Sequence, residues 1–153
     1  MPLSLRAASE LPSRERASSK YRWLHCAGDA FRTSCAISLR CLIVDDSDEF
    51  VASAARLLGS QGVDVVACAS SGDAALRLAR TLAPDVALVD IELGDEDGIL
   101  LSYELAAQAP STRVVLISSY RSDDLGDLIA NSPAAGFLPK TDLGADAIAR
   151  LLA

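Results

Sequence analysis

No apolar run in the 153 residues approaches the roughly 18 needed to cross a bilayer. The opening MPLSLRAASELPSRER has no apolar stretch long enough for a secretory signal. Neither a membrane span nor export is therefore expected. Cysteine is scarce: Cys26, Cys35, Cys41 and Cys68 form no C-x-x-C pair, which excludes a zinc site and a disulfide framework. That usage suits a reducing cytoplasm, the expected location. The Gly-rich phosphate cradles G-x-G-x-x-G and G-x-x-x-x-G-K-S/T are both absent. His25 is the sole histidine; it lies among the first 38 residues, with no helix-bundle context for a relay histidine, and is read as an ordinary extension residue.

The charge that is present is unevenly placed. Residues 1–39 hold six basic and three acidic groups, net +3. Residues 40–153 hold eight basic and eighteen acidic groups, net −10, and the two segments together return the −7 of the whole chain. A segment so acidic repels phosphate backbones, so no direct nucleic-acid binding is expected, whereas a divalent cation would be attracted. Residues 1–38 mix Ser, Arg, Ala and Pro without a period of 2 or 3.6 and are expected to be a disordered extension.

From residue 39 onward the pattern becomes regular. RCLIVD (40–45), VDVVACA (63–69), DVALVD (85–90), RVVLIS (113–118) and AAGFLP (134–139) are short apolar runs of the kind that form strands covered on both faces. Between them lie helical patterns. Ser47 or Asp48 caps the first, whose stripe of Phe50, Val51, Ala54, Leu57 and Leu58 is read as core. The others cover 72–84, 99–110, 122–132 and 141–153, and the 122–132 helix is weakened by Gly126 and Asn131. IELGDEDG (91–98) reads as a loop, with 95–97 a solvated acidic run, and Cys41 and Cys68 read as small core residues on neighbouring strands. Five strands alternating with five helices predict an α/β fold, a doubly wound five-stranded parallel sheet.

In such sheets ligands bind beyond the carboxyl ends of the strands. The residues placed there are Asp45 and Asp46, Asp90, Ser118 with Ser119, and Lys140. Two carboxylates about 4 Å apart repel by roughly 4 kcal/mol at an effective dielectric near 20. Three of them need a cation or must take up protons; a hard divalent cation with oxygen ligands, Mg²⁺ above all, satisfies that demand and commonly accompanies phosphate.

The stretches LIVDDS (42–47), ALVDIELGDEDGI (87–99), VVLISS (114–119) and GFLPK (136–140) resemble the receiver domain of bacterial two-component response regulators. TDL (141–143) is similar to receivers that precede LuxR/NarL-type DNA-binding domains. The resemblance implies a flavodoxin-like (βα)5 fold with strand order 2-1-3-4-5 over residues 39–153. It implies Asp90 as phosphoacceptor, Asp46 and Asp90 as direct Mg²⁺ ligands, Asp45 as a ligand through water, and the Glu92 backbone carbonyl as another. Ser118 and Phe137 would be the switch pair and Lys140 the cation that meets the phosphoryl group. Asp97-Gly98 matches the pair that closes the acceptor loop. Gly94 stands where the family often has Pro, Thr141 where many members have Pro, and Glu92 at a position that tunes phosphoryl lifetime.

The implied partner is a sensor histidine kinase. Output is expected through the face formed by the fourth helix, fifth strand and fifth helix, by homodimerisation or effector capture, with no DNA-binding domain in this chain. The receiver fragment of a DNA-binding regulator is one alternative. An aspartyl-phosphate phosphohydrolase is another, although it requires D-x-D where this chain reads Asp90-Ile91-Glu92. A phosphate-independent receiver is disfavoured by the intact Asp46, Asp90, Ser118 and Lys140. The chain is expected not to be an enzyme beyond its own phosphotransfer and dephosphorylation.

Overall fold

The apolar runs become strands because β-branched and Leu side chains fill both faces of a covered sheet. The computed structural model describes residues 38–120, 123 and 125–153, so the expectation of disorder over residues 1–38 falls, but for Ser38, outside them. The strands are Arg40–Val44 (β1), Asp64–Ala69 (β2), Val86–Asp90 (β3), Arg113–Ser118 (β4) and Gly136–Pro139 (β5). All adjacent pairs are parallel, in the order β2-β1-β3-β4-β5, which is the order the resemblance implied. The central β3 is buried along its whole length.

Helices follow the strands: Asp48–Ser60 (α1), Gly72–Leu82 (α2), Gly98–Gln108 (α3), Gly126–Ala130 (α4) and Ala145–Leu152 (α5). Leu42, Val44, Ala87, Val89, Val114 and Leu116 alternate onto one face of the sheet and join Ala75 and Ala79 of α2 and Ile99 and Leu105 of α3 in one cluster. The intervening side chains, Ile43, Leu88 and Ile117, point the opposite way and are fully buried, as are Leu58 of α1 and Ile148 of α5. Among the described residues no helix is long and apolar enough to cross a membrane.

Capping explains where the first three helices begin. Ser47 Oγ accepts the Phe50 N–H at 3.3 Å, Ser71 Oγ accepts that of Ala74 at 3.3 Å, and Asp97 Oδ1 accepts that of Ile99 at 2.8 Å. Arg40 closes the other end of α2, donating from its guanidinium to the carbonyls of Leu82 (2.8 Å) and Ala83 (3.0 Å).

Four expectations need correction. Among the described residues, the fourth helix, expected over 122–132, is α-helical over Gly126–Ala130; it has no side-chain N-cap and buries none of its residues. The fifth, expected from 141, begins at Ala145, because Lys140–Asp142 forms a 3-10 turn and the extended Leu143 turns into the interior. Cys68 is exposed rather than core, because β2 is an edge strand, whereas Cys41 on β1 is fully buried. Leu57 of the first helix's stripe is 40% exposed, and Phe50 is only half-buried.

Candidate functional site

Parallel pairing brings the carboxyl ends of β1, β3, β4 and β5 to one edge, and with them the residues that follow each strand. Asp45 and Asp46 follow β1, Asp90 and Ser118 end β3 and β4, and Lys140 follows β5. The carboxylates of Asp45, Asp46 and Asp90 offer one oxygen each, all within 4.8 Å of one another. Asp45 and Asp90 are buried and Asp46 is exposed, so the cluster opens to solvent on one side.

Each buried acid has a defined set of partners. Asp45 Oδ1 accepts the Ser47 N–H at 2.8 Å, and Asp90 Oδ1 accepts the Glu92 N–H at 3.1 Å. Lys140 Nζ stands between the two outer oxygens, 2.6 Å from Asp45 Oδ2 and 3.3 Å from Asp90 Oδ2. The contact to Asp90 is a hydrogen bond. That to Asp45 is a close ion pair with a fully buried carboxylate oxygen.

The electrostatics follow from this crowding. Burial first, then the Asp45 charge, pushes the Asp90 carboxyl above its ordinary pKa, against the downward pull of Lys140 and the Glu92 N–H. Burial acts to lower the Lys140 ammonium, but its contacts with Asp45 and Asp90 outweigh that and raise it. Three carboxylates facing one ammonium leave the cluster short of positive charge. The all-oxygen donor set of three clustered carboxylates fits a hard divalent cation.

The loop after Asp90 is more ordered than the sequence suggested. Glu92–Leu93 and Glu96–Asp97 pair as a two-stranded antiparallel ladder, and Gly94 makes the turn at φ +61°. The acidic run is not simply solvated. Glu96 Oε1 accepts the Gly72 N–H at 2.9 Å, joining this loop to the start of α2, and Asp97 caps α3. Gly98 N–H donates to the Ile91 carbonyl at 2.8 Å, and a Cβ at Gly98 would overlap the backbone carbonyl of Asp90. Only glycine fits there, which gives the Asp97-Gly98 pair its physical reason.

Ser118 is buried beside Asp90, since β3 and β4 pair Asp90 with Ile117; its Oγ accepts the Tyr120 N–H at 3.0 Å. Phe137 is half-buried on β5 and borders a recess of about 390 Å³ that Tyr120, Asp123 and Asp142 also line. The fold thus gathers Asp45, Asp46, Asp90, Ser118 and Lys140 at one edge and leaves Phe137 at its border. Glu92 contributes its N–H to Asp90, and its side chain is exposed. Two residues at the site escaped the sequence reading: Glu96, and Phe50, whose ring centroid lies 4.4 Å from Lys140 Nζ.

Comparison with known proteins agrees with this geometry. The family model for the response regulator receiver domain matches residues 41–151. Response regulator GacA of Pseudomonas aeruginosa is 31% identical over 103 residues, which are 67% of this chain and 48% of that protein. The chain therefore spans about half the length of that relative. The receiver domain of the putative response regulator NarL from Mycobacterium tuberculosis superposes with a TM-score of 0.64 at 34% identity, covering 69% of this chain and 86% of the other. A Burkholderia pseudomallei response regulator, solved with a phosphorylated aspartic acid, a calcium ion and citrate, gives 0.66 at 27% identity, covering 74% of this chain and 66% of the other. With its sheet order, its strand-end acids and lysine, and a family match across all five strands and helices, the chain belongs to the response regulator receiver domain family of two-component signalling.

Proposed function

We propose that Asp90 accepts a phosphoryl group from the phosphohistidine of a sensor histidine kinase, and that the resulting acyl phosphate switches a protein-contact surface. The observation that carries this reading is the cluster of Asp45, Asp46 and Asp90 within 4.8 Å, bridged by the Lys140 ammonium. An Asp90 oxygen attacks phosphorus, the bond from phosphorus to the imidazole nitrogen breaks, and that nitrogen keeps the electron pair and takes up a proton. Lys140, already 3.3 Å from Asp90 Oδ2, meets the oxygens of the transferring group. The Glu92 N–H holds the other oxygen of Asp90 and fixes the carboxylate's orientation.

Mg²⁺ would be held by Asp46, Asp90 and the Glu92 carbonyl, with Asp45 acting through water. Once bound, it supplies the positive charge that the cluster and a transferring phosphoryl group both require. The Burkholderia relative carries its phosphoryl group on an aspartic acid in the presence of a divalent ion, which supports the same pairing of acceptor and cation here. Ser118 and Phe137 are assigned the coupling role. The Ser118 hydroxyl adjoins the acceptor strand, and the recess beside Phe137 leaves room for the ring to reorient. Cytoplasmic location is part of the proposal, as is output through the face of α4, β5 and α5.

Acetyl phosphate with Mg²⁺ tests the reading. Wild type is expected to gain one phosphoryl mass, and Asp90→Asn to gain none while its circular dichroism is unchanged. Undiminished labelling of Asp90→Asn overturns the acceptor assignment. Asp46→Ala is expected to lose Mg²⁺ affinity strongly; equal affinity by calorimetry removes Asp46 from the ligand set.

A further inference from the structure

We infer that Phe50 is a positioning residue for the Lys140 ammonium, presenting its ring face as an uncharged contact that aims the cation at the phosphoacceptor. This inference rests on the assignment of Asp90 above. The Lys140 nitrogen lies 4.4 Å from the Phe50 ring centroid, 2.6 Å from Asp45 Oδ2 and 3.3 Å from Asp90 Oδ2. The face of an aromatic ring carries the negative end of its quadrupole and attracts an ammonium at this range.

The two carboxylates alone do not give Lys140 a fixed position during transfer. Asp90 changes from a free carboxylate to an acyl phosphate, so its contact with Lys140 must break and reform. Asp45 is expected to face the cation as well, and its pull on the lysine then weakens. The ring is the contact whose charge does not change at any stage. A lysine stem has four rotatable carbons and samples many positions unless its head group is held. An uncharged ring holds the head group without adding a carboxylate that would compete with the phosphoryl oxygens.

The placement of the ring points the same way. Phe50 lies in the first turn of α1, where its N–H donates to Ser47 Oγ at 3.3 Å, and the Ser47 N–H donates to Asp45 Oδ1 at 2.8 Å. One oxygen of Asp45 therefore anchors the turn that carries the ring, while the other faces the ammonium that the ring supports. Phe50 is only half-buried, whereas Ala54 and Leu58 of the same helix are buried.

The test uses the full chain with Mg²⁺ and acetyl phosphate and follows the rate at which Asp90 displaces acetate from phosphorus. Phe50→Leu, which keeps apolar bulk but removes the quadrupole, is expected to slow labelling by about three- to tenfold, the range a partly desolvated cation–π contact supports. Phe50→Tyr is expected to restore the rate. Phenylalanines at position 50 with increasing ring fluorination keep the shape and drain the ring face, and the logarithm of the rate is expected to fall step by step with each fluorine. In a Lys140→Gln background, Phe50→Leu is expected to cause no further loss. A rate that stays flat across the fluorinated series, or an equal further loss without Lys140, overturns the inference and leaves Phe50 a packing residue. Asp90→Asn is run alongside. If it stays unlabelled while the fluorinated series is flat, only this inference fails; if it labels like wild type, the acceptor assignment fails.

Discussion

At the scale of single residues, the site is held in an arrangement that costs stability. The Asp90 carboxyl is pushed above its ordinary pKa chiefly by burial and then by Asp45, so its charged form is disfavoured in the folded chain. Such a group costs nothing at acid pH, where it is neutral in both the folded and unfolded states. The cost grows as pH rises above the ordinary carboxylate value near about 3.9 and is complete above the raised folded value. In metal-free buffer Asp90→Asn is therefore expected to melt higher than wild type near about pH 8, with the gap closing towards about pH 4. Added Mg²⁺ is expected to stabilise wild type more than the mutant and so narrow or invert the order. Thermal melts across pH with and without Mg²⁺ check both; a lower melting point for Asp90→Asn at neutral pH in chelator contradicts the account. Gly98→Ala is expected to destabilise, because its Cβ would overlap the Asp90 carbonyl. Asp45, Asp90, Ser118 and Lys140 were legible in the sequence because each sits at the end of an apolar run, and a parallel sheet brings all such ends together. Phe50 was not, because its meeting with Lys140 joins residues ninety positions apart, and its place in an apolar helical stripe reads as core.

The elements show the same division between local pattern and distant contact. α1 was readable from its cap at Ser47, and α2 and α3 from their spacing of apolar side chains, whereas their caps, Ser71 and Asp97, emerge only from the structure. The boundaries of α4 and α5 were not, because helical spacing continues through Leu143, which the fold turns into its interior ahead of Gly144 and the start of α5. The acceptor-loop ladder was hidden for a related reason: IELGDEDG reads as polar loop, and its order comes from Glu96 reaching across to Gly72. That bond can be weighed by substitution. Glu96→Ala is expected to lower stability by about 1 kcal/mol, since it leaves the Gly72 N–H without its acceptor. It is also expected to loosen the 92–97 ladder and weaken Mg²⁺ binding a few-fold, because the Glu92 carbonyl is carried on that ladder. Glu96→Gln keeps an acceptor oxygen and is expected to lose less on both counts. Calorimetric titration and urea unfolding of the two variants check the ranking, and equal behaviour of Ala and Gln removes the bond from the account.

At the scale of the whole molecule, the acidic site sits at the end of the buried central strands, while the proposed output face includes the least supported of the described helices. β1 and β3 are buried along almost their whole length and carry Asp45 and Asp90 at their ends. α4 is five residues long, has no side-chain N-cap and buries no residue, although Ile129 packs in part against the core cluster. Its position is steadied from outside by Tyr103 of α3, whose hydroxyl donates to the Asn131 carbonyl at 2.9 Å. An element with few buried contacts opens at low free energy, and a small change at a neighbouring site can shift its population. That change would come from Ser118, proposed to turn towards a phosphoryl group on Asp90, and from Phe137, whose ring borders the recess next to β5. Amides of 126–130 are therefore expected to exchange hydrogen faster than those of β1, β3 and β4 in the unmodified chain. With Mg²⁺ and a beryllofluoride mimic of the acyl phosphate, protection is expected to change across 126–139 and to hold steady in β1. Tyr103→Phe removes the tether to Asn131 and is expected to speed exchange in α4 before any mimic is added, without reducing acetyl phosphate labelling of Asp90. If the mimic binds and protection across 126–139 does not move, the coupling through Ser118 and Phe137 is wrong, and the signal must leave the molecule by another face.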